Sequence, residues 1–105
     1  MTILHSRIPV VQASEFQEYV SSLACALVLV IGADHRMVGH IKRIESVSGR
    51  IELLTVPVTE DEAHLIPVAR VPRLMRYVNG ERTDNILLTL EVESVDAALV
   101  KLGLS

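Results

Sequence analysis

Val71-Pro72-Arg73-Leu74-Met75-Arg76-Tyr77-Val78-Asn79-Gly80-Glu81 constrains this chain more than any other stretch. It reads as a strand that starts just after a proline and ends in a hairpin turn, because Asn-Gly accepts positive φ at both central turn positions. The strand that follows, placed near Asn85 to Leu90, must run antiparallel to it. Upstream, Leu27-Val28-Leu29-Val30-Ile31 has no polar face, which predicts a central strand covered by helices on both sides.

The remaining segments alternate strand and helix, the pattern of one α/β domain. A first strand falls within Ile3 to Val11, and Pro9, which cannot donate to a ladder, puts it at a sheet edge or end. Ser14 opens a helix with Gln17 three residues on, a capping-box pattern, and Phe16, Tyr19, Val20 and Leu23 form its buried stripe. Gly32-Ala33-Asp34 ends the central strand. Asp34 is positioned to cap a second helix, with Met37, Ile41 and Ile44 inward and Gly49 as its stop. Ile51 to Val56 is a third strand, ended by Pro57. Thr59-Glu60-Asp61-Glu62 is an acid-rich start for a short helix that stops before Pro67. Arg73 to Tyr77 is the fourth strand. The last helix runs from about Val92 to Leu102, with Val92, Val95, Leu99 and Leu102 inward. The order β-α-β-α-β-α-β-β-α, with right-handed crossovers, gives three parallel strands plus an antiparallel hairpin: a mixed five-stranded sheet flanked by four helices.

A chain of 105 residues is enough for one domain with its own core. The formal charge of -3 gives no field for drawing in a phosphate backbone, so nucleic acid is not an expected partner. Met1 to Arg7 lacks the pattern of a secretory leader, and the longest apolar run, Leu23 to Gly32, is far short of the roughly 20 residues a spanning helix needs. One cysteine, Cys25, makes no internal disulfide, and a reduced, cytoplasmic setting is the default expectation.

The order of elements and several local words resemble the thioredoxin family over nearly the whole chain. Leu29-Val30-Ile31-Gly32-Ala33 is similar to the strand before that family's redox segment, Gly49 to Thr59 to its third strand, and Ile66 to Glu81 to the approach to its proline, the following strand and its Asn-Gly-Glu turn. The resemblance implies a cis Val71-Pro72 bond and a groove in which backbone groups beside that proline face the segment after Ala33. The departures concern chemistry. Where the family carries Cys-x-x-Cys, this chain has Asp34-His35-Arg36-Met37-Val38-Gly39-His40; the usual tryptophan is missing; Val30 stands where the family buries an acid; and the stretch from Ala33 to Gly49 is short. Dithiol exchange needs an attacking thiolate and a resolving thiol, and neither is at the site.

These features together predict a redox-inactive, thioredoxin-like protein-binding module that acts as an adaptor, assembly or inhibitory factor. Its expected partner surface is Asp34, His35, Arg36 and Met37 facing Arg70, Val71, Pro72 and Arg73, with no cofactor and no membrane. The alternatives are a glutathione-dependent or monothiol enzyme and a structural homodimer. Cys25, among apolar neighbours at the end of the first helix, reads as structural, since such surroundings hide a thiol. Asp34 reads first as a helix cap, and the alternative, with Arg36 and an arginine from 70 or 73, is part of an anion site. His5, His35, His40 and His64 have no metal-ligand spacing, and no nucleophile elbow accompanies any Ser-His-Asp set. Arg76 shares a strand face with Leu74 and Val78, so it must snorkel, pair with an acid such as Asp84, or meet a partner.

Overall fold

Leu27, Leu29 and Ile31 belong to one hydrophobic core, and Ala26, Val28 and Val30 to another, on opposite faces of the same strand. That alternation is why the run has no polar face: each side of the strand must be apolar when both are covered. The computed structural model describes residues 8–32, 38–47, 51–59 and 72–104.

The elements in chain order are α1 (Phe16–Ser21), β1 (Cys25–Gly32), α2 (Val38–Ile44) with a 3-10 turn (Glu45–Val47), β2 (Glu52–Val58), β3 (Arg73–Val78), β4 (Glu81–Leu87) and α3 (Glu93–Lys101). The strands form one sheet in the order β2-β1-β3-β4. β1 pairs parallel with β2 and antiparallel with β3, and β3 pairs antiparallel with β4. One core lies under α2 and α3, where Ile41, Ile44, Val95, Ala98 and Leu99 meet Leu27, Leu29 and Leu74. The other lies under α1, where Phe16 and Val20 meet Val28, Val30, Met75 and Tyr77. The Phe16 and Tyr77 rings pack edge to face there, 5.2 Å apart at an interplanar angle of 81°.

Among the described residues the sheet has four strands and the chain three α-helices, rather than the five and four that the sequence pattern predicts. Of the expected first strand, Ile3 to Val11, the described residues form a parallel bridge between Val10 and Thr55, held by Val11 N–H to Thr55 O (2.9 Å) and Thr55 N–H to Pro9 O (2.9 Å), and the rest lies outside the described residues. Pro9 contributes only its carbonyl, which limits the ladder at that point. The helix expected after Thr59, and the Gly49 stop, fall outside the described residues.

Several local expectations are corrected. The capping box at Ser14 does not form: α1 starts at Phe16 with Glu15 before it and no side-chain cap. Gln17 instead sends its Nε2 to the Gly80 carbonyl, 3.4 Å away. With α1 only six residues long, its buried stripe is Phe16 and Val20; Tyr19 is exposed and Leu23 is only partly covered. Pro57 lies within β2, opposite Ile31, rather than ending the strand. An edge strand tolerates the missing N–H. β4 begins at Glu81, earlier than the Asn85 expected, because Asn79 (φ 53°) and Gly80 (φ 84°) close a two-residue turn and pairing resumes at once. Cys25 is the first residue of β1, not part of a helix. Val92 is only partly buried, whereas Val95, Leu99 and Leu102 are inward as expected, joined by Ala98.

Candidate functional site

The strand register places the Pro72 end of the expected groove. Val30 pairs with Arg73, so Pro72 lies beside the last turns of β1, where the chain leaves the sheet at Gly32. Pro72 is buried, and its carbonyl accepts the Leu88 amide at 2.9 Å, which ties the proline to the chain just past β4. Arg73 is half-buried and donates from Nη1 to Asn85 Oδ1 at 2.9 Å across the hairpin. Of the predicted partner residues, Pro72 and Arg73 are therefore placed at one end of the sheet. Asp34, His35, Arg36, Met37, Arg70 and Val71 lie outside the described residues, as does the Val71-Pro72 peptide bond.

The first turn of α2 and the segment 88–92 meet at the same end. His40 is buried on α2, and its Nε2 stands 2.8 Å from the Thr89 carbonyl. A carbonyl only accepts, so the ring proton is on Nε2. One residue earlier, Gly39 packs so closely on Val92 that an added Cβ would fall 2.8 Å from Val92 Cγ1. Thr89, Glu91 and Ser94 order the entry to α3: Ser94 Oγ donates to Glu91 O (2.6 Å), and Glu91 N–H donates to Thr89 Oγ1 (3.2 Å).

Leu87 and Leu90 were not singled out by sequence reasoning. They lie either side of Leu88, the residue bonded to Pro72, and are 47% and 75% exposed. Val38, which opens α2, is exposed as well. In sequence Leu87 and Leu90 look like ordinary strand and helix-approach residues. Only the register, which puts Leu87 opposite Arg73, brings them to this end of the sheet.

Cys25 is elsewhere. It pairs with Val78, five residues along β1 from the Val30–Arg73 pair, which is about 17 Å of strand. It is partly exposed. With one cysteine, this chain supplies no second thiol for an internal dithiol. Among the described residues, no group of three or more His, Cys, Asp or Glu side chains could hold a metal ion.

Arg76 satisfies its charge within the fold. Its Nε and Nη2 reach Asp84 Oδ2 at 2.8 and 2.7 Å, and its Nη1 donates to Leu102 O at 3.1 Å, at the end of α3. The local-pairing alternative is the one adopted. The register shifts between Arg76 and Tyr77, leaving Thr83 as an extra residue in β4 whose hydroxyl bonds Asp84 (3.0 Å). A bulge and a run of Glu81, Arg82 and Asp84 on an edge strand both work against pairing with another edge.

Parallel β1–β2, antiparallel β1–β3–β4 and helices on both faces define a thioredoxin-like α/β fold. Solved structures agree. The chain is similar to thioredoxin f2 of Chlamydomonas reinhardtii, with a TM-score of 0.70 at 7% identity, covering 93% of this chain and 98% of that one. It is similar to a Plasmodium falciparum thioredoxin (TM-score 0.68, 15% identity, 90% and 98% covered). It is also similar to oxidised mitochondrial thioredoxin 3 of Saccharomyces cerevisiae (TM-score 0.66, 10% identity, 94% and 99% covered). At these identities the likeness establishes the fold alone. No protein-family model and no curated protein matches the chain. Among the described residues, no helix is long and apolar enough to cross a membrane.

Proposed function

We propose that this chain is a non-catalytic, thioredoxin-like protein-binding module that uses the groove beside Pro72. One observation supports the reading: the sole thiol, Cys25, and Pro72 belong to opposite ends of the β1–β3 pair, so the sulfur lies away from the proline. A binding site there needs no thiol. An extended partner segment would pair with backbone groups next to Pro72, as in strand addition. Val71, Met37, Leu87 and Leu90 would offer apolar contact, and Arg36, Arg70 and Arg73 would select a segment with an acidic neighbour. In this reading Asp34 and His35 would belong to the facing side.

The test is partner capture by the wild-type chain and by Arg36→Glu, Val71→Glu and Arg73→Glu, each checked for folding by circular dichroism. The reading expects at least one folded variant to lose the partner by tenfold or more. Capture at wild-type level by all three would overturn it.

A further inference from the structure

We draw no further inference here: the strongest candidate, the exposed pair Leu87 and Leu90 on either side of the residue bonded to Pro72, belongs to the site already described, and nothing in the structure shows what covers it.

Discussion

Cys25 and Pro72 stand at opposite ends of one antiparallel strand pair: Cys25 faces Val78 where β1 begins, and Pro72 precedes Arg73, which faces Val30 near the point where β1 ends. The relationship follows from register and survives any side-chain rearrangement. A thiol at the start of β1 cannot reach a ligand at the end of β1 without the sheet coming apart. The fold thus holds its single sulfur away from the end of the sheet where Pro72 lies.

Arg76 is the residue that joins the hairpin to the last helix. A cation at a helix C-terminus is favoured by the dipole, and here it also bonds the Leu102 carbonyl while Asp84 holds it from the neighbouring strand. Arg76→Ala is expected to cost about 2 kcal/mol, because it removes charge-assisted bonds to two partners. The two side chains are 30% and 32% exposed, so solvent screens part of their attraction. A double-mutant cycle with Asp84→Ala, read by urea denaturation, should give a coupling of about 1 kcal/mol or less. The Leu102 bond accounts for much of the rest, so Asp84→Ala alone should cost less than Arg76→Ala.

Thr55 presents the opposite case. Its backbone holds the bridge to Pro9 and Val11, but among the described residues its hydroxyl is buried with no hydrogen-bond partner. Burying an unpaired hydroxyl is costly, and valine has the same shape without it. Thr55→Val is expected to stabilise the chain by about 1 kcal/mol, seen as a higher urea midpoint at unchanged slope.

Burial raises the Tyr77 phenol above its ordinary value of 10.0, and the Arg82 guanidinium draws it only partly back. The folded chain therefore keeps this proton to higher pH than the unfolded chain does. The stability that Tyr77 contributes is fully present below the unfolded pKa and is lost as pH rises through the folded one. Denaturation midpoints measured at about pH 8 and about pH 11 should fall between the two, and the fall should be smaller in Tyr77→Phe, which keeps the edge-to-face contact with Phe16.

Gly39 lets α2 close on the segment before α3. A methyl at this position meets Val92 Cγ1 at 2.8 Å, and a β-branched side chain has little rotamer freedom to yield. Gly39→Ala should therefore fail to deliver the roughly 1 kcal/mol that alanine normally brings to a helix. In a Val92→Ala background the same change should stabilise, so thermal melts of the four chains in that cycle would show favourable coupling.

The features legible in sequence were those fixed by local chemistry or by strict periodicity. The all-apolar Leu27 to Ile31 run could only be a strand covered on both faces, and Asn79-Gly80 could only close a tight turn. The Arg76–Asp84 pair was also within reach, because the turn sets which residues face one another. The misreadings came where tertiary contacts outweighed a local signal. Gln17 had a cap-like position but is used by the Gly80 carbonyl. Pro57 looked like a strand end, yet an edge position tolerates it. In sequence His40 shows only that it lacks metal-ligand spacing; its role in joining α2 to Thr89 depends on a residue 49 positions away. Leu87 and Leu90 acquire their meaning from register alone. Within the candidate site, the sequence could place Pro72 and Arg73 at the start of a strand, and the fold puts that start beside the exit of β1.

Recognition without sulfur is put to the test by a binding isotherm for the captured partner, run on wild-type, Cys25→Ser and Val71→Glu chains side by side. Cys25→Ser should bind within twofold of wild type, while Val71→Glu, still folded, should bind at least tenfold more weakly. Loss of binding in Cys25→Ser together with intact binding in Val71→Glu would contradict it.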